Sequence, residues 1–208
     1  MTVFISGCFG FIAKHIIHAL LEQNYNVIGT VRSQKEKDKL NKQFGNNPNL
    51  TLEIVEDIRK DHAFDKVFEK YSQEIKYVLH TASPYDLETT EFTEELYKSA
   101  VYGPRAILSA IEKYGSATVE RLVHTSSYAA IMDFDTERVQ GTIYTENSWN
   151  PDDWEQAKEC ASRAYNGSKV LAEKEVWKFI EEKKDKVKLK ATTINPGYVL
   201  GPQRFDED

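Results

Sequence analysis

Within its first sixteen residues the chain passes from a short β-branched and aromatic run, Val3–Ser6, through two glycines, Gly7 and Gly10, into an amphipathic pattern. Phe11, Ile12, Ile16, Ile17, Leu20 and Leu21 carry that pattern, with His15, His18 and Glu22 between them. Strand, tight turn and helix in immediate succession leave few folds open. The spacing is G-x-x-G-x-x-A, ending on Ala13. Glycine at position 7 can take turn angles that a side chain forbids. Glycine at position 10 leaves room for a phosphate near the backbone, and Ala13 lets the helix lie close on a sheet. The backbone at Gly7, Cys8, Gly10, Phe11 and Ile12, together with the helix dipole, would then face an anion. Such a turn also suits other α/β folds, but its place after the first strand points to dinucleotide binding.

The rest of the chain repeats the alternation. Strands are expected at 27–31, 51–55, 75–80, 121–126 and 188–195, and helices at 34–44, 63–71, 96–111 and 164–180. Pro104 should bend the third of these helices or start it afresh. Six strands alternating with helices give an α/β fold of Rossmann type: a doubly wound, mostly parallel sheet with helices on both faces. Residues 133–163 depart from the pattern, with eight acidic and three basic side chains, and read as a long surface excursion near the mouth of the site.

The second strand ends Thr30-Val31-Arg32-Ser33, without the acidic residue that would accept the ribose hydroxyls of NAD. Residues 32–42 hold five basic and two acidic side chains in a protein of net charge −6. An arginine at position 32 can fork to a 2′-phosphate and stack on adenine, so NADP(H) is the expected cofactor. Lys35 or Lys37 could add a second charge, whereas Lys39 and Lys42 fit a solvated helix face. Asp57 and Ile58, past the third strand, suit an adenine-edge contact, and Asp57 equally suits a cap.

Tyr165 and Lys169 stand four apart on a helical pattern, hence on one face. A free phenol has a pKa near 10, and a nearby ammonium favours its ionised form. Ser127 follows the fifth strand, at the carboxyl edge where open α/β sheets place ligands. Its hydroxyl can hold a carbonyl oxygen while Tyr165 supplies a proton.

These stretches together resemble the extended short-chain dehydrogenase/reductases, and within them the fungal NADPH-dependent methylglyoxal and aldehyde reductases, near the plant dihydroflavonol reductases. The matching text is VFISGCFGFIAKHI from Val3, VIGTVRS from Val27, VLHTASP from Val78, VERLVHTSSYAA from Val119, YNGSK from Tyr165 and TINPGYVLGPQRFDED from Thr193. The resemblance implies a catalytic Ser127, Tyr165 and Lys169, with Lys169 also reaching the nicotinamide ribose. It implies a 2′-phosphate arginine at Arg32, an adenine contact at Asp57 and Ile58, and a nicotinamide-side contact at Pro196 and Val199. Substrate-side aromatics fall on Tyr85, Tyr128 and Tyr198. The second phosphate-side lysine has no clear match, because position 36 is Glu between Lys35 and Lys37; Lys37 is the nearest candidate. The family's N-V-x-G is replaced by Ala100-Val101-Tyr102-Gly103. Family members also continue well past Gly201-Pro202, so residues 1–200 are expected to form the NADP(H)-binding domain and 201–208 to begin a truncated substrate region.

Composition narrows the partners. Forty per cent hydrophobic and 29% charged residues mark a globular chain, and a pI near 5.5 argues against nucleic acid. Cys8 and Cys160 suffice for neither a disulfide framework nor a metal cluster, and no metal is expected. The start, MTVFISGCFG, lacks a signal peptide's basic region, and no membrane-length apolar run follows. A cytoplasmic monomer or homodimer is expected, acting on a small carbonyl. The alternative is a catalytically weak NADP(H)-binding remnant or regulatory protein.

Overall fold

A computed structural model describes residues 1–83, 100–133, 135–136 and 140–206. Its centre is β1, Thr2–Ser6, with all five residues buried. An unbroken buried run marks a strand covered on both faces, as in parallel sheets. On one side β1 pairs in parallel with β2, Asn26–Val31, which pairs with β3, Leu50–Ile54. On the other side it pairs with β4, Ile75–His80, followed by β5, Arg121–Thr125, and β6, Lys190–Ile194. The order β3-β2-β1-β4-β5-β6 reverses direction between β1 and β4. The expected Rossmann-type sheet is therefore present, and ligands of such sheets sit in the crevice at the reversal.

Alternating side chains divide the core. Val3, Ile5, Val27 and Val31 meet Ile17 of helix α1, Phe11–Glu22, and Leu40 of α2, Gln34–Gln43. On the opposite face Phe4 meets Phe64 and Phe68, with ring centroids 5.9 and 5.0 Å away. Phe68 lies on α3, Asp65–Tyr71. Ile107, Leu122 and Val176 complete this layer. Ile107 belongs to α4, Tyr102–Ala110, and Val176 to the long helix α6, Ala161–Lys183, which follows the single turn of α5, Trp154–Ala157.

Among the described residues, Pro104 stands at the start of its helix. It falls in the first turn of α4, where a backbone N–H has no intrahelical acceptor to lose. A π turn, Ile111–Gly115, then widens the end of α4. The expected start of this helix near residue 96 lies outside the described residues. The excursion is tied down by Arg163 on α6. Its guanidinium binds Asp152 at 2.6 Å, Asp135 at 2.5 Å and Glu159 at 3.1 Å, with Arg163 and Asp152 both buried. Among the described residues no helix is long and apolar enough to cross a membrane.

Candidate active site

The crevice begins at the glycine turn. Gly7 has φ +72°, and a Cβ there would lie 2.9 Å from Cα of Ala82 beyond β4. Glycine is thus required both by the turn and by the close approach of the two strand ends. A Cβ at Gly10 would have Gly7 O, at 3.3 Å, as its one neighbour within 4 Å, which leaves that side of the turn open. Gly10 caps α1 without any side-chain hydrogen bond, and the first turn of α1 carries no acidic residue. Phe11 and Ile12 therefore open a helix whose positive end no acidic side chain of its first turn neutralises.

Cys8 turns inward. It is fully buried, its thiol donates to Ile5 O at 3.3 Å, and its amide donates to Thr30 O at 2.8 Å. Burial pushes the thiol up to about 12. Burial thus disfavours the thiolate that a reactive role would need.

Ser33 caps α2, its hydroxyl accepting from the Glu36 amide at 3.2 Å. The Glu36 carboxylate reaches back to accept from the Arg32 amide at 2.8 Å. The Arg32 side chain is exposed at the rim beside this acid, and Lys37 lies half-buried on the same helix. The Asp57 carboxylate accepts from the Arg59 amide at 2.9 Å and from its guanidinium at 2.9 and 3.0 Å, which holds it below the usual carboxylate range. Ile58 packs on the core, near Gly103.

At the other side of the crevice Lys169 sits on the inner face of α6. Its ammonium donates to Ser83 Oγ at 2.9 Å and lies 5.4 Å from the centre of the Tyr165 ring. Burial lowers its pKa to about 8. Beneath it His80 and His124 stack, 5.4 Å between centroids and 19° between planes. Both are held well below the ordinary histidine value, His124 at about 4, chiefly by burial and further by the positive charge of Lys169.

Ser127 follows β5 and caps the 3-10 turn Tyr128–Ala130, its hydroxyl accepting from the Ala129 amide at 3.2 Å. That turn packs on α6, which brings Ser127 and Tyr128 to the helix bearing Tyr165 and Lys169. The Pro196 carbonyl accepts from the Tyr128 amide at 2.8 Å, and the Tyr128 ring meets Tyr144 edge-on. Tyr198 is not brought to this cluster: it is 98% exposed, and neighbouring Val199 is 45% exposed. Tyr85 lies outside the described residues. No group of His, Cys, Asp or Glu among the described residues could hold a metal ion.

Four participants escape a reading based on motifs alone: Ser83, His80, His124 and Glu173. The segments H-T-A-S from His80 and H-T-S-S from His124 echo each other, and the two histidines are partners across β4 and β5. Glu173 continues the four-residue spacing of Tyr165 and Lys169.

Comparison with known proteins gives a consistent picture. A sequence model of the 3-beta hydroxysteroid dehydrogenase/isomerase family matches residues 4–206. An NADPH-dependent methylglyoxal reductase of Saccharomyces cerevisiae is 49% identical over 208 residues, covering 100% of this chain and 61% of the relative. A dihydroflavonol 4-reductase of Solanum lycopersicum is 35% identical over 205 residues, covering 97% of this chain and 50% of the relative. The crystal structure of the yeast methylglyoxal/isovaleraldehyde reductase complexed with NADPH superposes with a TM-score of 0.95 at 48% identity, over 100% of this chain and 61% of that one. The NADPH complex from Candida albicans gives 0.94 at 45% identity, again over 100% and 61%. The chain thus spans about three fifths of the length of these yeast and Candida reductases.

Proposed function

Since the chain belongs to the 3-beta hydroxysteroid dehydrogenase/isomerase family, we propose that it binds NADPH in the β1–β4 crevice and reduces a small aldehyde or ketone to the alcohol. The residues present fit that cofactor. The open side of Gly10 and the uncapped start of α1 suit a pyrophosphate, and Arg32 at the end of β2 suits a 2′-phosphate. The solved relatives' NADPH complexes support this choice. Residues 1–200 are read as the cofactor-binding unit, with Asp57 and Ile58 toward adenine and Pro196 and Val199 toward the nicotinamide.

The observation that carries the reading is Lys169, an ammonium sunk between Ser83 and the Tyr165 ring at the carboxyl edge of the sheet. The bound nicotinamide would supply a hydride. Tyr165 would hold the proton that the developing alkoxide takes, and the adjacent ammonium eases loss of that proton from the phenol. Ser127 would donate its hydroxyl hydrogen to the same oxygen, so two donors await the charge that develops there. Lys169 keeps its charge at neutral pH because about 8 still lies above 7. Tyr128 flanks the carbonyl's substituents. Methylglyoxal and 3-methylbutanal are the substrates to try first, since the yeast relative is named for such aldehydes.

A second reading, cofactor binding without turnover, draws on the exposure of Tyr198 and Leu200. Titration of NADPH fluorescence followed by its oxidation with these aldehydes separates the two. Binding with oxidation supports the reductase, and binding alone supports the second reading.

A further inference from the structure

We propose that Glu173 is a positioning residue: its buried carboxylate locks the strand ends that carry Ser127 to the helix that carries Tyr165 and Lys169. The proposal deepens the reductase reading but rests on packing that does not depend on it.

Glu173 is only 4% exposed. A buried carboxylate must find donors for its oxygens or lose its charge. It accepts four hydrogen bonds, all from uncharged groups. Oε2 takes the Ser126 hydroxyl at 2.5 Å and the Asn195 amide at 2.7 Å. Oε1 takes the Thr193 hydroxyl at 2.9 Å and the Trp177 indole N–H at 3.2 Å. A carboxylate offers about four such sites, so the group is saturated. Three of the donors come from the ends of β5 and β6, and the fourth from α6 itself.

The connection to Ser127 is direct. One hydrogen of the Asn195 amide goes to Glu173, and the other goes to the Ser127 carbonyl at 3.1 Å. The neighbours of Ser127 are fixed by the same strand: the Ser126 amide donates to Ile194 O at 2.9 Å, and the Tyr128 amide to Pro196 O at 2.8 Å. Asn195 lies between those two acceptors. Glu173 stands one turn beyond Lys169 and two beyond Tyr165, about 6 Å per four-residue step along the axis. One carboxylate therefore sets the distance between the hydroxyl of Ser127 and the pair on the helix. Such geometry matters because catalytic groups displaced by an ångström lose much of their effect.

Glutamine at this position has one accepting oxygen and a donating NH2, which would face the N–H of Asn195 or of Trp177. The lock would open on one side without a change in size. The test measures amide hydrogen exchange in the whole chain for Glu173→Gln and Asn195→Ala. Both variants should speed exchange at Ser126 and Tyr128 about tenfold or more, while Phe4 and Ile28 change less than about twofold. Val176→Ala, a core truncation on the same helix, should instead raise exchange without singling out those two amides. If Glu173→Gln fails to fold, the Asn195→Ala pattern decides, because it cuts the link to Ser127 and leaves the carboxylate in place. Equal acceleration at Phe4, Ile28, Ser126 and Tyr128 would overturn the proposal.

Turnover supplies a separate arm. Glu173→Gln should lower kcat about tenfold or more with NADPH affinity nearly unchanged. Combining it with Ser127→Ala should cost no more than Ser127→Ala alone, as expected when one residue acts through the other. Additive losses would count against the lock. Absence of turnover in the unaltered chain would sink the reductase reading, and the exchange pattern would still decide the role of Glu173.

Discussion

His80 and His124 occupy partnered positions on neighbouring parallel strands and stack as neutral rings under the Lys169 ammonium. The Ser6 hydroxyl fixes one of them. It accepts from the Thr81 and Ala82 amides at 3.1 and 3.2 Å, so its own hydrogen goes to His80 Nδ1 at 2.8 Å. A second proton on that ring would require the Ser6 hydroxyl to turn and accept from Nδ1 instead.

Acid should therefore weaken the fold through these rings. In the unfolded chain they protonate near 6.5, whereas in the folded protein His124 does so only at about 4. The unfolded state binds more protons between those values, so stability is fully present above 6.5 and falls as pH drops toward 4. The His124 ring contributes up to about 1.4 kcal/mol per pH unit in that window. Urea unfolding of His124→Gln from pH 7.5 to 4.5 should show a shallower slope than the unaltered chain. Parallel slopes would show that His124 is not the source.

Lys169→Met should give a more stable but inactive protein. The folded pKa of about 8 lies below the ordinary 10.5, so the buried charge costs stability at neutral pH. That cost is about 2 kcal/mol after a discount for partial exposure. It is fully present below 8 and fades as pH rises to 10.5. Chemical denaturation at pH 7 and pH 10 should find the gain at the first and little at the second, with NADPH oxidation lost at both.

Tyr165→Phe removes the proton and keeps the ring that Lys169 approaches. Single-turnover oxidation of NADPH should fall by about a thousandfold or more, while NADPH affinity stays within about threefold. A large loss of affinity would transfer Tyr165 from chemistry to cofactor binding.

At the rim, Glu36 sets a carboxylate against the Arg32 amide where a 2′-phosphate is expected. Arg32→Ala should weaken NADPH about tenfold or more and NADH little, whereas Glu36→Gln should tighten NADPH by relieving like-charge repulsion. Fluorescence titrations of both coenzymes measure this. Equal effects on NADPH and NADH would remove the 2′-phosphate from Arg32.

Gly29→Ala tests the packing under the turn. A Cβ on Gly29 would overlap the Cys8 sulfur and come within 3.0 Å of Leu52. The substitution should destabilise by about 1–3 kcal/mol, and Cys8→Ala in the same chain should restore part of it. Thermal unfolding of the single and double variants is sufficient to decide.

Much of this was legible in the residues. The strand-turn-helix opening and the alternation that followed gave the parallel sheet because period and punctuation agreed at every element. Tyr165 and Lys169 were visible because helical spacing is local. The Lys169–Ser83 bond was not, since 86 positions separate the pair and only strand pairing brings them together. Glu173 was half visible: its spacing from Lys169 was plain, but three of its four donors, Ser126, Thr193 and Asn195, come from strand ends far from it in sequence. The family resemblance puts Tyr198 with Tyr128 on the substrate side, and nothing near it in sequence could show that it projects into solvent. Pro104 shows that a residue's local rule depends on its place along the helix.

The Ser6 hydroxyl has a further meaning for how a ligand is received. It ties the end of β1 to the first residues after β4, and Thr81 Oγ1 returns the tie to Ser6 O. The two walls of the crevice are thus joined at their base before anything binds. Little conformational freedom remains there to be lost on association, so the affinity of a ligand seated there would be spent on holding it rather than on assembling its cradle. A nucleotide fragment reaching only this floor would meet a prebuilt seat.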